Sequence, residues 1–235
     1  MAFDPATRAS VSSYIAAHLP ADSWYADFFD FVPDAALAAR LAEEFKSART
    51  VYKLLRGLDA TGWLLNAQIR IQVLQYASIY EAVIHHLLFD RFGDTNDVRA
   101  LVEYRKLTKI SIPPRSLEQL KKALEHDGKE IIPTYQGTGR VDESKVRFDD
   151  KVACAVGLDL IDADLGDDLV GIYEARNAIH IHAELRKNLK YEIELGRTAY
   201  RRMAPFREQV VEGLRKHGKL LAGGGAPVEF DPEAI

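Results

Sequence analysis

From Thr61 to Phe92 the chain carries apolar residues at helical spacing on more than one face. Leu65, Ile69, Tyr76, Val83 and Leu87 recur along one side, and Leu64, Ile71, Leu74, Ile79 and Ile84 fill others. A helix that is apolar on several sides sits inside a protein with other elements packed around it. Gly93-Asp94 closes the segment. One such helix requires a bundle to cover it, so the expected fold class is all-α.

The flanking sequence supplies the covering helices. Asp4 caps a helix that has Pro5 at its first position and ends near His18, before Leu19-Pro20. Trp24, Tyr25, Phe28, Phe29 and Phe31 form an aromatic cluster, read as a packing plug over the core rather than a base-stacking platform. A helix is expected from Pro33-Asp34 to about Leu58. Another is expected from Val98 to Lys109, broken by Ser111-Ile112-Pro113-Pro114. Ser116 caps a short helix through Glu125, ended by Asp127-Gly128. Pro133, Gly137 and Gly139 make 129–147 a loop or small hairpin inserted between helical halves. Further helices are expected from Asp149 to about Leu160, from Asp167 to about Leu189 and from Tyr191 to His217. Ala222-Gly223-Gly224-Gly225 then opens a flexible tail. Residues 1–220 read as a single helical domain with a partly irregular insertion around 129–147, and 221–235 as the tail.

Bulk properties narrow the function classes. At 235 residues, 47% hydrophobic and 28% charged, the chain can bury a sizeable core and has an ordinary soluble profile. A net charge of −4 excludes a globally basic nucleic-acid coat. The charge is uneven, however. Between Leu185 and Leu220 there are ten Lys/Arg against four Glu, an excess of six positive charges, so the remainder carries ten negative ones. This block could steer a polyanion, or be a solvated helix face. Cys154 is alone, which excludes an intrachain disulfide and a cysteine-built zinc site and suits a reducing cytoplasm. Met1-Ala2-Phe3-Asp4-Pro5 is not a signal peptide, and no run approaches the length of a membrane span, so a cytoplasmic location without membrane partners is expected.

The chemistry is concentrated in Arg176-Asn177-Ala178-Ile179-His180-Ile181-His182. A guanidinium grips a phosphate oxygen in a planar, charge-assisted hold. An imidazole titrates near neutrality and can move a proton. At about 100° per residue, Leu165, Leu169, Ile172 and Ile179 fall within about 60° of Arg176, which places it on the apolar face. His180 lies about 40° from Arg176 and His182 about 120° round. A charge on an apolar face needs a partner, and Glu81, set among apolar residues of the long helix, is the candidate carboxylate. His180 and His182 at i and i+2 would share a face on a strand but diverge on a helix, so no metal site is expected. His85 and His86 read as surface or capping groups at a helix end.

These residues resemble the motif of the HEPN superfamily, helical bundles that are often dimeric and occur in toxin–antitoxin and antiviral systems. The family signature is an arginine, commonly followed by Asn, then four to six residues and a histidine. Arg176, Asn177 and His182 match it with five residues between Arg and His, and His180 occupies the position seen in Arg-Asn-x-x-His variants. Leu169-x-x-Ile172-Tyr173-x-x-Arg176-Asn177 leads in, and Glu81 stands on an earlier apolar helix. The resemblance covers about a quarter of the chain. Position 184 is Glu, where some family toxins carry a tyrosine modified by an antitoxin nucleotidyltransferase.

What the resemblance implies is a HEPN-like helical bundle with metal-independent endoribonuclease activity on single-stranded RNA, needing no cofactor. His182 or His180 would act as general base or acid, Arg176 would hold the phosphate, and Asn177 would bond the helix partner or an imidazole. Arg186, Lys187 and Lys190, just beyond, are the expected substrate-binding residues. The expected partners are RNA, a second copy of the chain, and an antitoxin or other protein. The alternatives are a non-catalytic HEPN-like dimerisation or RNA/protein-binding module, and a helical protein in which Arg176 and Glu81 form only a buried ion pair.

Overall fold

A computed structural model describes residues 2–124, 127–179 and 191–234. The chain is mainly α-helical, with one two-stranded sheet among the described residues. It divides into two compact units, Met1–Gly93 with Arg147–Ile235, and Asp94–Val146. Where a single domain with an insertion around 129–147 is expected, the inserted unit begins at Asp94.

The larger unit is built round one helix. It contains α1 (Pro5–Ala17), α2 (Asp22–Phe28), α3 (Ala35–Gly57) and α4 (Gly62–His86, continued by a π-helical turn over Leu87–Arg91). Asp4 and Asp34 cap α1 and α3 by accepting two backbone N–H bonds each. α4 packs against α3 and against three helices from the second half of the chain. Val73, Tyr76, Tyr80, Val83 and Leu88 are fully buried. The apolar periodicity predicts burial on several sides, but burial is not complete. Ile71 and Leu74 are 37% and 43% exposed, because neighbouring helices leave that stripe uncovered. The aromatic cluster is a packing plug: Tyr25, Phe28, Phe29 and Phe31 are buried, and Tyr25, Phe28 and Phe29 pack round Phe45 of α3.

The second half contributes α7 (Phe148–Gly157) and α8 (Ala163–Asn177). The expected final helix is two, α9 (Ile193–Arg201) and α10 (Met203–Lys216). Pro205 has no N–H to give the Arg201 carbonyl, so the helix breaks there. Tyr80 of α4 donates to the Ala199 carbonyl of α9 at 2.7 Å, and Gln72 donates to the Ala48 carbonyl of α3 at 2.8 Å. Residues 221–234 carry no helix or strand, but they are tied down: the Trp24 indole donates to the Glu229 carbonyl and the Tyr200 hydroxyl to the Asp231 carbonyl.

In the smaller unit α5 (Asn96–Val102) passes directly into β1 (Glu103–Lys109), where a continuing helix is expected. After α6 (Pro114–Ala123), β2 (Thr134–Arg140) pairs antiparallel with β1, from Glu103 opposite Arg140 to Lys109 opposite Thr134. The reason is non-local. Glu-Tyr-Arg-Lys-Leu-Thr-Lys has no strong local preference, and the Thr134–Arg140 edge supplies its backbone partners. Tyr104 lies over Gly139, where a Cβ would sit 2.5 Å from its ring; only glycine allows that approach.

Two measurements test this packing. Burial raises the phenols of Tyr76 and Tyr80 well above their ordinary value and pushes Tyr200 up to about 12. Folded values above the unfolded value near 10 mean that this stabilisation is fully present below pH 10. It is lost as pH rises through the folded values. Thermal melts at pH 7, 9 and 11 should show Tm unchanged by the phenols over the first interval and falling over the second. Separately, a Cβ on Gly213 would meet the Leu160 Cα at 2.8 Å and the Asp159 carbonyl oxygen at 2.9 Å, whereas one on Gly171 meets nothing. In denaturant titrations Gly213→Ala should cost about 1–3 kcal/mol, and Gly171→Ala should gain about 0.5–1 kcal/mol.

Candidate functional site

The site forms at the end of α8. Asp162 caps this helix by accepting the Leu165 N–H at 2.8 Å. Leu165, Leu169, Ile172 and Ala175 make its buried stripe. The helix expected to reach about Leu189 closes at Asn177. Ala178 and Ile179 bond back three residues, to Ala175 and Arg176, and the Tyr191 hydroxyl donates to the Ala175 carbonyl at 3.2 Å. The last turn is thus tightened and capped by a side chain from further along the chain. The helical phase counted from Arg176 is described only to the end of α8 at Asn177. These two histidines, with Arg186, Lys187 and Lys190, lie outside the described residues.

Arg176, Asn177 and Glu81 are brought together. Arg176 Nη2 is 3.8 Å from Glu81 Oε2, with the two side chains 31% and 32% exposed. The arginine is therefore at the edge of the apolar face rather than inside it: in the last turn its long stem can carry the guanidinium to the rim. Nη1 donates to Asn177 Oδ1 at 3.0 Å and lies 3.4 Å from the Tyr173 hydroxyl oxygen. Asn177 thus holds its neighbour through Oδ1; the imidazoles expected as its partners lie outside the described residues.

Tyr173 links the cluster; the sequence places it only in the run that leads to Arg176 and assigns it no role. Its hydroxyl donates to Glu81 Oε1 at 3.0 Å. Its ring stacks on Phe148 of α7 at 4.2 Å and 25°, and the Arg176 guanidinium lies 5.1 Å from the ring centroid. Burial, then the Glu81 charge, raises the Tyr173 phenol, with Arg176 opposing. The phenol therefore stays protonated at neutral pH and keeps Glu81 as its acceptor. The available signal was spacing: Tyr173 and Arg176 are three apart on one helix and must be neighbours.

One turn further along α4 and α7 is a second pair. His85 follows Glu81 by four residues and Lys151 follows Phe148 by three. Lys151 Nζ is 3.2 Å from His85 Nδ1, and the His85 ring is 4.8 Å from Phe89. His85 is partly exposed, but Lys151 is buried, as is His86, whose Nδ1 bonds Asp90 Oδ2 at 2.8 Å. Neither histidine stands at an open helix end, because the π-helical turn continues α4 past them. Among the described residues no group of three or more His, Cys, Asp or Glu is placed to hold a metal.

The arginines in the described part of the basic block are paired with carboxylates. Arg197 and Arg201 pair with Glu194, Arg202 with Asp168, Arg207 with Asp30 and Arg215 with Glu212. Paired charges of opposite sign largely cancel beyond a Debye length, so these five arginines contribute less to a long-range field than their number suggests.

Arg176 is partly solvated and loosely paired, so Arg176→Ala should change unfolding free energy by less than about 1 kcal/mol. Phe148→Ala removes a buried ring and should cost about 3–5 kcal/mol. Denaturant titration of both variants checks this. An arginine substitution as costly as that of Phe148 would mark it as a core group.

The chain matches no protein-family model, no curated protein and no solved structure.

Proposed function

We propose that the chain is a HEPN-like helical bundle acting as a metal-independent endoribonuclease on single-stranded RNA. The observation that carries this reading is the posture of Arg176. Its guanidinium is oriented by Tyr173, Asn177 and Glu81, yet nearly a third of the side chain is open to solvent. A pre-oriented guanidinium with solvent access can grip a phosphate oxygen and stabilise the charge that develops on it. The 2′-hydroxyl then attacks the adjacent phosphorus, the bond to the 5′ oxygen breaks, and a 2′,3′-cyclic phosphate and a 5′-hydroxyl result. His182 or His180 takes the proton from the 2′-hydroxyl or supplies one to the leaving oxygen. Arg186, Lys187 and Lys190 hold flanking phosphates.

The reading extends to a cytoplasmic homodimer in which two copies bring two Arg176 groups to one cleft, in a toxin or phage-defence setting with an antitoxin or other protein partner. The exposed apolar residues Trp63, Ile71 and Leu74 of α4 support association of copies. The alternative is a non-catalytic HEPN-like dimerisation or RNA/protein-binding module. It draws on the Arg176–Glu81 pair, which already balances the guanidinium charge.

The test is cleavage of a single-stranded RNA with EDTA present. The wild-type chain should cut and leave cyclic-phosphate ends. Arg176→Ala should lower the rate by about 100-fold or more, and His180→Ala and His182→Ala, made separately, identify the working histidine. Loss of activity with EDTA, or cleavage untouched by all three substitutions, would overturn the mechanism. Binding without cleavage would establish the non-catalytic module.

A further inference from the structure

The C-terminal segment 226–233 lies in a groove whose walls come from helices distant in sequence. Main-chain carbonyls are recognised one by one: Arg207 Nη2 donates to the Ala226 carbonyl, the Trp24 indole to that of Glu229 and the Tyr200 hydroxyl to that of Asp231, each at 2.8 Å. Phe230 is the anchor. Its ring stacks on Tyr200 at 4.8 Å and 27°, lies near-parallel to Trp24 at 6.3 Å, and approaches Phe28 at 6.1 Å. Arg201 Nη2 bonds both oxygens of Glu233 at 2.9 Å.

The groove is also cationic beneath. Arg49 is 3% exposed, with its guanidinium 5.6 Å from the Trp24 ring and 5.4 Å from the Tyr200 ring. Its Nε has no hydrogen-bond partner, and among the described residues no carboxylate forms an ion pair with it. A buried cation without a carboxylate partner is costly. Lys53, one turn on, is held below the ordinary lysine value by burial and by Arg49, with Asp231 of the segment opposing. The acidic residues Glu229, Asp231 and Glu233 flank Phe230, so the segment complements the groove in charge as well as shape.

We propose that this groove is a docking site for an acidic, phenylalanine-centred peptide of a partner protein, and that residues 226–233 occupy it in cis. The segment brings no helix or strand of its own. It is joined through a glycine linker in which Gly223 and Gly225 have φ of 81° and 77°. Its contacts are those a separate peptide would make: carbonyl bonds, one ring in an aromatic slot and one acidic terminal pair. A cavity of about 240 Å³ lies alongside the segment, lined by Phe28, Arg207 and Val211 of the helices and by Val228 and Phe230 of the segment. A tethered segment competes at an effective concentration in the millimolar range, so a partner peptide enters when it binds more tightly or when the tether is loosened. This inference does not rest on the RNA reading, which concerns the end of α8.

The test uses the full-length chain with Phe230→Ala, which loosens the segment but keeps the groove, and a fluorescent peptide of sequence 226–233 read by anisotropy. The Phe230→Ala chain should bind the peptide at least about tenfold more tightly than the wild-type chain does, since the cis competitor is weakened. A peptide with alanine in place of its phenylalanine should bind at least about tenfold less tightly, as expected for an anchor residue. Glu233→Ala, which removes only an exposed ion pair, serves as a second acceptor should Phe230→Ala lower the melting temperature, and should also bind more tightly than wild type. Equal binding of the two peptides, or no binding to either acceptor, would overturn the proposal. Displacement of the peptide by an eight-nucleotide single-stranded RNA, with tighter binding of that RNA, would replace the peptide class by a nucleic acid.

Discussion

Covering α4 is the constraint from which the other features of the larger unit follow. Its buried face carries polar groups as well as aliphatic residues; the Tyr76 hydroxyl is left without a hydrogen-bond partner among the described residues, while Tyr80 and Gln72 use acceptors on the helices packed against them. Tyr80 donates to the Ala199 carbonyl, which ties α9 to α4. Gln72 does the same toward α3 through the Ala48 carbonyl. These bonds fix where α3 and α9 lie, and that arrangement in turn builds the aromatic slot in which Phe230 rests.

α4 also carries the candidate site. Glu81 occurs on the helix just after Tyr80, near the edge of the covered face, where α8 crosses. There the carboxylate is partly solvated, yet close enough to α8 to accept from Tyr173. The link to Arg176 is mostly indirect. Tyr173 makes the shorter bond to Glu81, and the arginine leans on the phenol and on Asn177. Such an arrangement orients a guanidinium without sealing it, which a direct, buried ion pair would not do.

Much of this was legible in particular residues. Asp4-Pro5 and Asp34 mark helix starts because capping is chemistry local to three or four residues. The meeting of Glu81 with Arg176 followed from phase on two apolar helices and the need to balance a charge. Tyr173 could have been added by its spacing from Arg176, but Phe148 beneath it comes from another helix and left no local signal. For the basic block, a sum over sequence does not show that Asp168, Asp30 and Glu233 are brought to its arginines from elsewhere in the chain.

Local chemistry and periodicity, read from the sequence alone, determined that the protein is mainly helical, that the long apolar segment is its centre, and that Glu81 is a candidate partner for Arg176. Tertiary structure decided the rest, wherever the energetic preference of a segment was small or its partner distant. Glu103–Lys109 became a strand because Thr134–Arg140 lies alongside with glycine opposite Tyr104. α8 ended at Asn177, where Tyr191 takes a carbonyl. Residues 226–233, which have no secondary structure of their own, were placed by an aromatic slot and three arginine, tryptophan and tyrosine donors that only the folded helices bring together.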